Sequence, residues 1–487
     1  MNRTYLLDRF EPRDVLRHFE DICAIPHGTG HEAALRAHIE ALAEKNGLPA
    51  ERDEAGNLLV RVPASAGCEA APPFLIQGHM DMVLAKEPWV ERDLEREPVE
   101  LVLEGNVLRA NGTTLGADNA VGLCHMLALM EPSELRHPPL ELLFTVEEES
   151  GMTGIRKADL SGIRSRRMLN MDCGDPDCLV IGAGGGSKYD LYGQFPLFPA
   201  HGFGLCVEIS GLRGGHSGIE AGKNRASALE LAGRLLSALC DRMPVRLLSL
   251  DSPPAANSFP RWMKITLSVS AEDLEEAEKL LARSDCAFQR ELSCFEPDYR
   301  MTVTVCEITS AAASEEDTRR IADFLQLVPF DALRRAPENP AWVLCSALLS
   351  RASFTAGVFR GYFSVRANRD PYRDAVEGRL RTLCRMTGIA ASPRSAPTPA
   401  WVEKEDSPLR DLCLSLYREL FGEEMRVQVE NGSVEVGVIL DAVPGMDAVG
   451  FAPKSRGAHT TDEYLDLESM PPFRTLFTAL LSRLCDT

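Results

Sequence analysis

Phe74-Leu75-Ile76-Gln77-Gly78-His79-Met80-Asp81 is the stretch that decides how this chain folds. A short apolar run ends at glycine, and an imidazole and a carboxylate follow, two residues apart. Such a run, bounded by turn formers, fits a buried strand. The pattern recurs at Leu140-Glu141-Leu142-Leu143-Phe144-Thr145-Val146, which runs into Glu147-Glu148-Glu149-Ser150-Gly151. It recurs again at Met168-Leu169-Asn170-Met171, which runs into Asp172. Between the first two runs, Gly116-Ala117-Asp118-Asn119 opens a strongly apolar helix that reaches Met130. Strands separated by helices imply βαβ units and a mostly parallel sheet. In α/β proteins, strand ends and helix starts are where sites are built.

Outward from this stretch, 14–25 reads as a helix stopped by Pro26, and 31–46 as an amphipathic helix closed by Gly47. Residues 58–62 form a further strand. Gly182-Ala183-Gly184-Gly185-Gly186 reads as a flexible linker. Beyond it, strands are expected at 205–209, 264–270, 301–305 and 358–368. Helices are expected at 224–239, 271–282, 318–327, 340–349 and 370–386. A loop-rich stretch at 391–400 follows, and Ser407-Pro408 opens another helix. Ala458-His459-Thr460-Thr461 arrives far too late to belong to the middle region if it must meet the early ligands. The expected organisation is a catalytic domain in two parts, 1–186 and 399–487, interrupted by an α+β lid at 187–398.

The bulk numbers bound the function. At 487 residues the chain exceeds one ordinary core. Its net charge of −20 argues against nucleic acid or an anionic membrane as partner, since both need clustered Lys and Arg. Its 14 cysteines are scattered without a Cys-x-x-Cys pair, which points to a reducing compartment. The N-terminus lacks the apolar core of a signal peptide, and no apolar run approaches the roughly 20 residues of a membrane span. A cytoplasmic location is the expectation.

Imidazoles and carboxylates converging from several element ends suit a borderline divalent metal, zinc above all. In His79-x-Asp81 the carboxylate can orient the imidazole from behind. A carboxylate at a helix start, such as Asp118, can bridge two ions. The glutamate run allows one Glu to ligate while its neighbour serves as general base. Each segment alone is ordinary. Their joint order is not, and it has the chemistry of a metallohydrolase.

The set resembles the M20 family of metallopeptidases, most closely its aminoacyl-histidine (Xaa-His) dipeptidase branch. The matching segments are Gly78-His79-Met80-Asp81, Gly116-Ala117-Asp118-Asn119, Glu148-Glu149-Ser150-Gly151, Asp172 and His459-Thr460. The resemblance implies two zinc ions, with Mn²⁺ or Co²⁺ as substitutes. His79 and Asp172 would bind one, Glu149 and His459 the other, and Asp118 would bridge them. Asp81 would orient a ligand and Glu148 would act as base, the register being set by Gly151. It further implies that His216, in Gly214-Gly215-His216-Ser217-Gly218, stabilises the oxyanion. Arg366 would hold the substrate carboxylate, with Asn257 and Glu435 as further substrate contacts. The partner is then a small peptide, handled by a monomer or a homodimer.

One departure bears on substrate. Glu430-Asn431-Gly432-Ser433-Val434-Glu435 stands where that branch has His-Ala-Gly-Leu-Glu, which puts a preference for Xaa-His dipeptides in doubt. The expected function is a dizinc dipeptidase of Xaa-His or broader specificity. The rivals are an N-acyl amino acid deacylase of the same family and a metal-binding scaffold without catalysis. Against the scaffold, the base and all five ligands are present.

Overall fold

The computed structural model describes residues 4–308 and 310–486, in two compact units. The first takes the chain as far as Gly182, then Trp401–Val429, then the chain from Val434 onward. The second holds Ala183–Ala400 together with Glu430–Ser433. The chain thus leaves the first unit twice. The second excursion is only four residues long and carries Asn431.

An eight-stranded sheet organises the first unit, in the order Ala50–Arg52, Leu58–Val62, Leu140–Thr145, Phe74–His79, Arg167–Asn170, Asp447–Gly450, Cys178–Ala183, Arg426–Glu430. The four strands from Leu140–Thr145 to Asp447–Gly450 run parallel. Leu58–Val62 and Cys178–Ala183 flank them antiparallel. The fold is therefore mixed α/β around a parallel centre. Phe74–His79 and Leu140–Thr145 are buried along their whole length, as parallel strands covered on both faces must be. Fully burying Phe74 or Phe144 contributes roughly 1.5–3 kcal/mol each. Register aligns the strand ends: His79 lies opposite Thr145, and Gln77 opposite Asn170.

The helix Ala117–Met130 starts at Gly116, whose φ of 74° favours glycine, and buries almost every side chain. Within it, His125 donates from Nδ1 to the Val121 carbonyl at 2.8 Å and meets Phe473 edge to face. Burial lowers the pKa of His125 to about 3, so it is a neutral core residue. A small four-stranded sheet does the long-range work. Its strand Tyr464–Asp466 pairs with Val107–Ala110, and Ser455–Arg456 pairs with Tyr464–Asp466. The His459 loop hangs between the last two and is thereby brought alongside the segment leading to Asp118.

The second unit is an antiparallel sheet of nine strands with its own core, to which the helices Ala228–Cys240, Leu274–Leu292, Glu315–Leu327 and Asp370–Thr387 contribute. Two expectations are corrected here. Residues 340–349 are not helical: Val343–Thr355 is a long strand, mostly buried in its first half. A continuous apolar run reads equally as buried strand or buried helix, and cross-strand pairing with Val358–Ala367 decides it. The glycine run does join the two units, at Gly182 and Ala183, but apart from Gly184 it belongs to the strands Cys178–Ala183 and Gly185–Gln194. A Cβ on Gly185 or Gly186 would strike the carbonyl oxygen of Thr398 or Val365. The glycines there permit close backbone approach rather than motion.

In the first unit Cys68 and Cys485, 417 residues apart, are joined as a disulfide, a pairing their spacing did not suggest. Among the described residues, no helix is long and apolar enough to cross a membrane.

Candidate metal centre

The carboxyl ends of the three parallel strands around Phe74–His79 deliver His79 directly, Glu148 and Glu149 just beyond Thr145, and Asp172 just beyond Asn170. The start of the helix Ala117–Met130 adds Asp118, and the loop held by the small sheet adds His459. All these residues belong to the first unit.

Asp118 stands between two sets of donors. Its Oδ1 lies 3.0 Å from His79 Nε2, which is itself 3.3 Å from Asp172 Oδ1. Its Oδ2 lies 3.4 Å from His459 Nε2, which is 2.7 Å from Glu149 Oε1. Donor atoms of His79, Asp118 and Asp172 fall within 4.8 Å of one another, as do those of Asp118, Glu149 and His459. His79, Glu148 and Glu149 form a third such group. Glu149 Oε1 is buried and faces His459 Nε2. Two imidazoles and three carboxylates gathered so tightly fit divalent cations of the zinc type.

Charge in the metal-free cluster is distributed by these contacts. Burial pushes the Asp118 carboxyl up, but the His459 and His79 imidazoles outweigh it and hold it far below the ordinary range. Burial raises Asp172 well above that range, and the neighbouring Asp118 charge adds to the effect. Burial works against a charged His79, yet the Asp172 and Asp118 carboxylates raise its pKa well above the usual value. Asp118 and then Glu149 raise His459 to about 10. Glu148 is also raised well above the carboxylate range, by burial first, with Asp172, Glu149 and Glu435 adding to it against His79.

Asp81 is buried beside His79. The His79 Nδ1 proton points to the Asp81 backbone carbonyl at 3.0 Å, while the carboxylate lies 3.5 Å away. That carboxylate also accepts from the backbone N–H of Glu148 at 2.9 Å, from that of Glu149 at 3.1 Å, and from Thr29 Oγ1 at 2.9 Å. Asp81 therefore fixes the backbone that carries both glutamates.

Glu435 is also in this unit and fully buried. Its Oε2 accepts from Gln77 Nε2 and Thr145 Oγ1, and its Oε1 has no hydrogen-bond partner. Burial raises its pKa to about 7. Gln77 continues the chain by accepting from Asn170 Nδ2, which links the floor of two strands. Gln77, Thr145 and Thr29 carry no sequence signal of their own.

The remaining candidates gather in the second unit. A Cβ on Gly218 would lie 3.3 Å from His216 Cε1 and 3.4 Å from Arg366 Nε, so these two side chains flank one glycine. The Asn257 carbonyl accepts from the Ser217 N–H, which draws that segment to the same loop. Asn431 Nδ2 donates to the Gly218 carbonyl at 3.2 Å and to Ser346 Oγ at 2.9 Å. The short excursion Glu430–Ser433 is thus pinned to the loop that carries His216.

A parallel sheet whose strand ends gather acids and imidazoles places its candidate site where open α/β sheets carry theirs. The chain belongs to peptidase family M20/M25/M40, whose model matches residues 75–483. Among curated proteins, the cytosol non-specific dipeptidase of Escherichia coli (strain K12) is 28% identical over 480 residues, covering 98% of this chain and 99% of that one. Among solved structures, aminoacylhistidine dipeptidase from Vibrio alginolyticus matches with a TM-score of 0.87 at 27% identity, covering 98% of each chain. Aminopeptidase PepT from Bacillus cereus shares the fold, with a TM-score of 0.55 at 14% identity over 98% of this chain and 99% of that one.

Proposed function

We propose that this protein is a dinuclear-zinc dipeptidase that cleaves the peptide bond of small, unblocked dipeptides. One observation carries the reading: the two oxygens of Asp118 face two different pairs of donors, His79 with Asp172 and His459 with Glu149. A carboxylate shared in this way is what a two-ion site requires. The dipeptidase names of the E. coli and Vibrio relatives supply the substrate class.

His79 and Asp172 would hold one ion, Glu149 and His459 the second, and Asp118 both. Zn²⁺ suits these donors best, and Mn²⁺ or Co²⁺ would occupy the same set. Ions bound there supply Lewis acidity for the scissile carbonyl and for the attacking water. Glu148 takes the proton of that water on its free carboxylate and returns it to the departing amine. Asp81 holds the Glu148 and Glu149 backbone so that base and ligand keep their spacing. From the second unit, acting as a lid, His216 would donate to the developing oxyanion. Arg366 would take the substrate carboxylate, since its Nε is buried without a hydrogen-bond partner and a guanidinium fork suits a carboxylate. Asn257 and Glu435 would complete the substrate contacts, Glu435 on the amine side. The cytosol named for the E. coli relative is the location we assign.

A panel of free dipeptides, Xaa-His included, run beside N-acylated amino acids tests the substrate class. Hydrolysis of the free dipeptides is expected. Turnover confined to the N-acyl compounds would overturn the reading in favour of a deacylase.

Proton linkage gives a further expected result. His79 and His459 both have raised pKa values without metal, so both carry a proton at pH 7. Ligation needs them neutral, so metal uptake must expel those protons and affinity must fall as pH falls. Calorimetric titration of the stripped protein at pH 7 in buffers of different ionisation enthalpy should report net proton release, with Asp172, whose pKa is also raised, adding to the two imidazoles. A heat of binding independent of buffer would contradict it.

A further inference from the structure

Glu463 lies outside every motif read from the sequence, yet the residue is 1% exposed and its carboxylate accepts three backbone N–H groups from one turn. Oε2 takes Leu115 N–H at 2.8 Å and Gly116 N–H at 2.9 Å, and Oε1 takes Asp118 N–H at 3.2 Å. This is the turn that presents Asp118. A buried carboxylate is tolerated where several N–H groups converge on it, and those bonds are strong and directional.

The other end of Glu463 is joined to His459. The Glu463 N–H bonds the Thr460 carbonyl, and both the N–H and the hydroxyl of Thr460 bond the Gly457 carbonyl. His459 sits inside this closed loop with φ of 67°, a left-handed conformation that needs its surroundings to hold it. Glu463 then enters the strand Tyr464–Asp466, which is paired to Val107–Ala110. One residue thus grips the turn bearing the shared carboxylate while its own backbone closes the loop bearing the late imidazole.

We infer that Glu463 is a positioning residue of the metal centre, setting the distance between Asp118 and His459. The inference rests on the dinuclear reading above and deepens it. It explains how a His459 that is half exposed can keep its Nε2 3.4 Å from Asp118 Oδ2. Glu463→Gln keeps the size of the side chain but turns an NH₂ toward at least one of the three N–H groups. Partners of this outer kind are typically worth 10–100-fold in metal affinity.

The control is another buried carboxylate of the same unit. Glu141 is 2% exposed and accepts from Ser165 N–H, Ser165 Oγ and Arg164 N–H, near the opposite end of the strand Leu140–Thr145 from the site. Glu141→Gln carries a comparable structural cost without touching a ligand.

The full chain, stripped by chelator, is titrated with Co²⁺ while the visible absorption of the ion and its affinity are followed. Thermal unfolding of each metal-free variant is recorded alongside. Wild type taking up two equivalents supports the metal-centre reading. Wild type taking up none removes that reading and this inference with it. Glu463→Gln is expected to bind cobalt 10–100-fold more weakly at one or both sites, with an altered spectrum. Glu141→Gln should keep wild-type affinity and spectrum even where its unfolding temperature drops as far. Wild-type cobalt binding by Glu463→Gln, or equal weakening by Glu141→Gln, overturns the inference. Should Glu463→Gln fail to fold, Glu463→Asp, which keeps the charge but shortens the reach, replaces it. Unaltered cobalt binding by that variant overturns the inference equally.

Discussion

Asp118→Ala should leave the purified protein without a stable pair of ions and lower dipeptide turnover by a factor on the order of 10³ or more. The argument is geometric. Each of the other four ligands serves one side of the cluster, whereas Asp118 presents Oδ1 to His79 and Oδ2 to His459. Lewis-acid stabilisation of a developing oxyanion is worth several kcal/mol, and each 1.4 kcal/mol is tenfold in rate. Elemental analysis alongside steady-state kinetics checks both halves. Two bound ions and near wild-type turnover in this variant would remove the bridging assignment.

That site was legible because its parts follow strand ends. Apolar runs such as Phe74–His79 announce buried strands, and ligand-type residues directly after them fall at one edge of a parallel sheet. What stayed hidden depends on pairing between distant segments. The strand Tyr464–Asp466 is three residues long, too short to show a period, and its partner lies some 350 residues away. Nothing in Glu463 itself marks it, since a lone Glu before a short apolar pair is usually a solvated side chain. The Cys68–Cys485 pair is hidden for the same reason.

The second unit was harder to read, also for physical reasons. Val343–Thr355 lies in the interior of a sheet, so its apolar residues do not alternate with polar ones, and the run looked helical. Gly185 and Gly186 read as flexible linker because an isolated sequence cannot show the carbonyl groups of Thr398 and Val365 that would collide with a side chain. Asn431 departs from the family pattern in the sequence itself. Its attachment to Ser346 and the Gly218 carbonyl, through a four-residue excursion into the other unit, follows only from the fold.

Glu148→Gln is expected to keep both ions and lose at least roughly 10²-fold in turnover, within the 10²–10⁴ range usual for a general base. The substitution preserves shape and leaves in place the backbone bond from Glu148 N–H to Asp81. It removes only the ability to accept and return a proton. Because that interaction belongs to the transition state, kcat and kcat/KM should fall together while KM stays near its wild-type value. The register of the glutamate run makes metal content the decisive measurement. His79, Glu148 and Glu149 also offer donor atoms within 4.8 Å of one another, so Glu148 is close enough to ligate. If it were the ligand and Glu149 the base, Glu148→Gln would shed an ion and Glu149→Gln would keep both. Against that exchange, His459 Nε2 lies 2.7 Å from Glu149 Oε1, and His459 is the imidazole that needs a second carboxylate beside Asp118. Ion loss on Glu148→Gln with retention on Glu149→Gln would therefore shift every role in the run by one residue. Retention of metal with near wild-type turnover would instead take the base away from this run altogether.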